Sequence, residues 1–299
     1  MRIRAHGKGW ALLCILDVYK RQLDSFESAP SNAVDVSANR DQSVLCWSRG
    51  TNLFIAGRGG VRANTNSSCL FEGWKALKTI RFDGHFDTVG VTSMRNMFQN
   101  CSRLTALDVL GFDTSKVTDM GFMFDKCASL TILDVSDFDT SSVTDMSSMF
   151  QGCTKLLALN LSRFDTSKVT EMDFMFNQCL SLKTLDISHF DTSRVTNMGR
   201  MFQNCISLKE LDVSRFNTSN VTNMCSMFSR CESLTELEVS HFDTSRVRDM
   251  SGMFALCKRM SRLDPFSFSK ASLQYYEGMF NGCGGFFFSR KLQSRWEKL

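Results

Sequence analysis

Eight cysteines, Cys101, Cys127, Cys153, Cys179, Cys205, Cys231, Cys257 and Cys283, recur every 26 residues. Thiols placed so regularly could form disulfides, hold a metal ladder or fill a core. A disulfide needs Cα atoms about 4.4 to 6.8 Å apart. Coils stacked at strand spacing, about 4.8 Å, meet that condition, whereas helices packed about 8 to 10 Å apart do not. Zinc binding calls for C-x-x-C pairs or nearby histidine, and neither accompanies these cysteines. Each cysteine closes an apolar stripe of Met and Phe, so buried, reduced thiols are the expected state.

Other residue types with chemical potential reduce to turns. Asp87, Asp113, Asp139, Asp165, Asp191 and Asp243 form a carboxylate row that suits calcium in principle. Asn217 interrupts it, and the glycine-rich turns of calcium-binding β-helices are missing, so local turn capping is expected instead. Gly57-Arg58-Gly59-Gly60 lacks the Lys-Ser/Thr and the strand-to-helix setting of a phosphate loop. The histidines, His6, His85, His189 and His241, fit no triad or metalloprotease pattern. The chain is therefore expected not to be an enzyme, and to need no catalytic residue, cofactor or metal.

The elements that position these residues follow from the 26-residue period, which the Met97/Phe98 to Met279/Phe280 pairs and the row Phe112 to Phe268 share. Within one unit, Val117, Met120, Met123, Phe124 and Cys127 have helical spacing, with Ser115 or Thr118 placed to cap and Asp119 in the first turn. Leu130, Leu133, Val135 and Phe138 follow as L-x-x-L-x-V-x-x-F, in which Leu133 and Val135 alternate with Asp134 and Ser136 as in a strand. The expected fold class is an α/β repeat solenoid of leucine-rich type, one short strand and one short helix per coil. A single unit cannot bury its apolar face, so stability comes from stacking. The end coils differ: Phe71, Trp74, Leu77, Ile80 and Phe86 keep the pattern with one residue inserted, while Pro265 and Tyr275-Tyr276 break it at the back. Val44–Trp47 and Asn52–Ile55 flank Ser48-Arg49-Gly50-Thr51 as a hairpin. The expected divisions are 1–40, an unassigned leader with 23–40 given no structure; 41–68, the hairpin region; 69–283, the solenoid; and 284–299, an irregular basic tail.

Across 299 residues the formal charge is only +4, so bulk electrostatics implies no nucleic-acid partner. Pro30 and Pro265 are the only prolines, which excludes Pro-rich linkers. No apolar run reaches the roughly 18 residues of a transmembrane helix. Arg2, Arg4 and Lys8 precede the apolar stretch Trp10–Leu16 as in an export signal, but Asp17 ends it and no small-residue cleavage site follows. The run Asp17-Val18-Tyr19-Lys20-Arg21-Gln22 resembles translated adapter sequence, which would put the native start outside this chain.

The unit L-x-x-L-D-V-S-x-F-D-T-S-x-V-T-D-M-x-x-M-F-x-x-C, read from Leu130 to Cys153, closely resembles the repeat of BspA-like bacterial surface proteins. The resemblance extends over roughly residues 41 to 283. It implies a leucine-rich-repeat protein, secreted or held at the cell surface of bacteria, that adheres to host proteins or to other cells, and it brings no catalytic residues.

Outward positions of the strand form two rows where such a solenoid would bind. One is acidic: Asp108, Asp134, Asn160, Asp186, Asp212, Glu238 and Asp264. The second varies: His85, Gly111, Asp137, Arg163, His189, Arg215 and His241. Like charges stacked at strand spacing repel. The rows are either solvated decoration or a ligand face built from Asp134, Asp137, Arg163, Asp186, His189, Asp212, Arg215, Glu238 and His241. The expected partner is a protein or glycan on a host or other cell, with an intracellular interaction scaffold as the alternative.

Overall fold

The computed structural model describes residues 61–80, 82 and 86–298, together with the backbone of short strands between residues 2 and 57. His85 and residues 58–60 fall outside the described residues. Coil follows coil at the expected period: Ser93, Asp119, Asp145, Glu171, Asn197, Asn223, Asp249 and Tyr275 pair in one continuous parallel ladder.

The solenoid is as the repeat pattern requires, but its coils contain no helix. Residues 118–127 run instead as consecutive tight turns. Met123, Asp125 and Cys127 donate their amides to the carbonyls of Met120, Phe122 and Phe124 three residues back. The intervening amides of Met120, Phe122, Phe124 and Lys126 donate to Asp145, Ser147, Met149 and Gln151 in the next coil. A helix would direct all of these amides along its own axis and leave the coils unjoined. The turns require a left-handed residue every four positions: Phe122 (φ 58°) and Lys126 (φ 58°), then Ser148 (φ 55°) and Gly152 (φ 69°). Four-residue turns leave Met120, Phe124 and Cys127 buried on one side, which mimics the spacing of an amphipathic helix.

The strand segments are also shorter than expected. Ala106–Leu107 pairs in parallel with Thr79–Ile80, and Glu236–Leu237 with Arg262–Leu263. Between them the coils exchange isolated bonds, such as Leu157 N–H to the Thr131 carbonyl at 3.1 Å. The expected hairpin is present as Val44–Arg49 against Asn52–Gly57. Asn52–Gly57 lies parallel to Thr79–Ile80, so the hairpin extends the strand side of the first coils. Val34–Asp35, in the stretch given no structure, pairs with the hairpin's outer strand.

Threonine and cysteine tie the coils at the remaining corners. Buried Thr114, Thr140 and Thr166 donate their hydroxyls to the carbonyls of Asp139, Asp165 and Asp191 in the following coil, each at 2.9 Å. The turn aspartates cap locally, as expected: Asp139 Oδ1 accepts the Ser141 amide at 3.0 Å. A column of phenylalanine fills the centre. Phe98, Phe124, Phe150, Phe176, Phe202, Phe228 and Phe254 stack with centroids 5.6 to 5.8 Å apart and planes within 8°. Phe71 begins the column 5.3 Å from Phe98, as befits a capping coil.

The other end corrects a second expectation. Residues Gly285–Lys298 form a 14-residue helix rather than an irregular tail. Phe288, Leu292 and Trp296 are spaced four apart on one face. Trp296 is fully buried, with its ring edge-on to Phe280 and Phe268 at 6.3 and 6.4 Å. Without that lid the last phenylalanines would face water. Arg295 lies over Phe266 at 3.7 Å and Lys270 over the Trp296 ring at 4.7 Å, so the basic residues fasten the lid as cations on rings.

Two predictions test this architecture. Because left-handed backbone disfavours a side chain by about 1–2 kcal/mol, Gln178→Gly (φ 60° at Gln178) should raise stability in urea by up to about 1 kcal/mol after the entropy of glycine is subtracted. Gly152→Ala, whose new Cβ would lie 3.3 Å from the Lys126 Cα, should lower it by about 1 kcal/mol; a loss of stability in Gln178→Gly together with a gain in Gly152→Ala would contradict the turn assignment. Trp296→Ala should destabilise the final coils by about 3–5 kcal/mol, seen as loss of amide-exchange protection at Cys283 before Cys179, whose amides donate to the Phe280 and Phe176 carbonyls.

Candidate ligand-binding face

The strand segment alternates as its sequence dictates: Leu130, Leu133, Val135 and Phe138 are buried, while Thr131, Ile132, Asp134 and Asp137 are exposed. The acidic row is more than decoration. Asp134 Oδ1 accepts the Ser136 amide at 3.0 Å, Asp186 that of Ser188 at 3.1 Å, Asp212 that of Ser214 at 2.9 Å, and Glu238 Oε1 that of Ser240 at 2.8 Å. Each acid thus folds the chain around itself. The serine hydroxyl and amide hold the carboxyls of Asp134, Asp186, Asp212 and Glu238 below the usual carboxylate range. These bonds offset the repulsion expected along the row.

In the second row, Arg163 Nη1 lies 3.8 Å from Asp137 Oδ1 across one coil, with both side chains more than half exposed. Such a pair contributes little to stability. His189 and His241 are held more firmly. Their Nε2 atoms meet the carbonyls of Leu161 and Val213 at 3.0 and 3.1 Å, so Nε2 carries the proton. The rings stand edge-on to Phe190 and Phe242 at 5.2 and 5.0 Å. From Arg163 to His241 the row therefore alternates Arg, His, Arg, His. The face also includes residues that the two rows left out: Leu110, Ile132 and Leu157 are exposed aliphatics on it. Reading the rows at 110, 132 and 157 across coils, where serine, threonine and charged residues replace them, would have found them.

The eight repeat cysteines are buried, and all cysteines among the described residues are free thiols. The reason differs from the helix spacing first considered, because the coils stack at strand spacing. From Cys101 to Cys257 the repeat thiols are engaged by carbonyls instead: Cys127 Sγ donates to Phe98 O at 3.2 Å, Cys153 to Phe124 at 3.3 Å and Cys205 to Phe176 at 3.2 Å. Burial pushes the thiols of Cys153 and Cys205 up to about 12, which leaves almost no thiolate for exchange at neutral pH.

A second charged group sits along the parallel ladder. Arg95 Nη1 bridges Asp119 at 3.2 Å and Asp145 at 2.7 Å, and Glu171 accepts the Thr196 hydroxyl at 3.0 Å. Asp173 beside them is pushed up to about 6 by burial and then by the Glu171 charge.

The described residues match, in three overlapping spans of 65–185, 130–211 and 175–296, the family described as "Mycoplasma protein of unknown function, DUF285", the BspA-like repeat family. The chain belongs to that family. No curated protein matches it significantly. Among solved structures, this DUF285 member is similar to the T. pallidum leucine rich repeat protein, at 16% identity over 74% of this chain and 89% of that one, with a TM-score of 0.36. It is also similar to a leucine rich cell surface protein from Faecalibacterium prausnitzii A2-165, at 15% identity over 88% of this chain and 98% of that one, with a TM-score of 0.26. No helix among the described residues is long and apolar enough to cross a membrane.

The raised carboxyl of Asp173 yields a pH prediction. Its folded-state value lies above the unfolded one, so its ionisation withdraws stability as pH rises from about 4 through about 6. Asp173→Asn should therefore stabilise the protein at pH 7.5, by on the order of 1 kcal/mol once solvent screening is allowed for, and the gain should vanish below about pH 4. Denaturant midpoints at the two pH values measure both.

Proposed function

We propose that this chain is a binding module of the bacterial cell surface that holds a protein or glycan of a host or another cell on its exposed strand face, without catalysing a reaction. The observation that carries the proposal is the second row. Arg163, His189, Arg215 and His241 project from a frame whose interior barely changes between coils, and the two imidazoles are fixed to carbonyls of the preceding coil. Side chains held in place lose less entropy on binding than mobile ones. Asp134, Asp186, Asp212 and Glu238 supply the negative half of the same surface, and Asp137 completes it. The likeness of the repeat to BspA-like surface proteins supports the location.

The alternative, an intracellular scaffold, uses the same face for a cytosolic partner. Beads coated with the chain and overlaid on epithelial monolayers separate the two. Wild-type beads should adhere, and the double reversal Arg163→Glu/Arg215→Glu should reduce adhesion about tenfold with the thermal melt unchanged. Full adhesion by the double variant would remove this row from the site, and non-adherent wild-type beads would favour the scaffold.

A further inference from the structure

Leu110, Ile132 and Leu157 stand on the strand face of three successive coils and are 52%, 74% and 48% exposed. Later coils place Ser136, Glu210 and Lys183 in the same rows, so the aliphatic character is confined to the front of the solenoid. Nothing in the repeat requires it. Leu110 and Ile132 border an open cavity of about 640 Å³ that Ala106 and Val109 also line, with Asp108 and Asp134 at its edge. Farther along the face a cavity of about 720 Å³ is edged by Glu210, Asp212, Glu236, Glu238 and Asp264. Its one basic lining residue, Arg262, is bound to Glu236 at 2.7 Å.

The chemistry selects among partners. Branched aliphatic surface gains about 25 cal/mol per Å² when covered by other apolar surface. A saccharide, hydroxylated on nearly every carbon, supplies little of that, and no aromatic ring on which sugar C–H groups could pack lines the first cavity. Nucleic acid and other polyanions would meet Asp108 and Asp134 directly. The acidic edge favours a cation, and the Ser136 amide and hydroxyl keep Asp134 ionised.

We infer that the front of this face docks a polypeptide segment whose Leu, Ile or Val side chains cover Leu110, Ile132 and Leu157 and whose Lys or Arg residues reach Asp108 and Asp134. The inference rests on the strand-face function proposed above and specifies the part of its ligand that meets the front coils as a basic, aliphatic protein segment, separate from the part that meets Arg163 and Arg215.

Three 12-residue peptides, alternating Leu with Lys, Leu with Glu and Ser with Lys, serve as probes in fluorescence anisotropy against the full chain. The Leu/Lys peptide should bind at least tenfold more tightly than either of the others. Ile132→Ser and Leu157→Ser, both at exposed positions and expected to leave the thermal melt unchanged, should each weaken it at least tenfold. Equal binding of the Ser/Lys peptide would mean that charge alone attracts it, and undiminished binding to Ile132→Ser would place the contact elsewhere; either overturns the inference. Failure of all three peptides to bind also overturns it, while adhesion that is still lost in Arg163→Glu/Arg215→Glu would leave the strand-face function standing.

Discussion

Every coil depends on the amides that its turn segment gives away. Met120, Phe122, Phe124 and Lys126 donate to the next coil rather than to their own, and this sets the distance at which all other groups meet. Phenylalanine rings then fall into offset stacks, threonine hydroxyls reach the following carbonyls, and thiols reach the preceding ones. The cost is a pair of left-handed residues in every coil, borne even by Phe122, Phe174 and Leu256. Hydrogen bonds satisfied at every second residue, together with a buried aromatic column, offset that strain.

The period, the core and the hairpin were legible because they depend only on which residues avoid water. Cys127, Phe124 and Leu130 are buried wherever the backbone takes them. The local backbone was less legible. Tight turns and an amphipathic helix both bring residues three and four apart to one side, so Val117, Met120, Phe124 and Cys127 could not separate them. The discriminating sign was present outside the apolar stripe: Gly152, Gly252, Gly278 and Gly282 occupy left-handed positions in register with Asn96, Asn100 and Asn204. These are residue types that tolerate that conformation, and a helix interior would disfavour the glycines.

Two features of the surface were missed for the opposite reason: they depart from the repeat, and attention to the repeat hides departures. The helix of Phe288, Leu292 and Trp296 begins where the period stops, and its apolar spacing was masked by the basic residues between. Leu110, Ile132 and Leu157 occupy positions whose consensus is polar. The acidic row was read correctly for position and incompletely for role, since Asp134 and its counterparts both shape the strand's exit and carry the charge of the face. One side chain thereby links local folding to surface potential.

The ladder also determines how such a molecule responds to force. Its bonds join only adjacent coils, so tension applied through the ends would load each boundary in series, and the coils would peel away one after another. A released coil of 26 residues lengthens to about 85–95 Å at full extension, against a ring-to-ring step of 5.7 Å in the stack. A chain built this way would yield in discrete increments under load, and each coil could rewind onto the template left by its neighbour when the load falls.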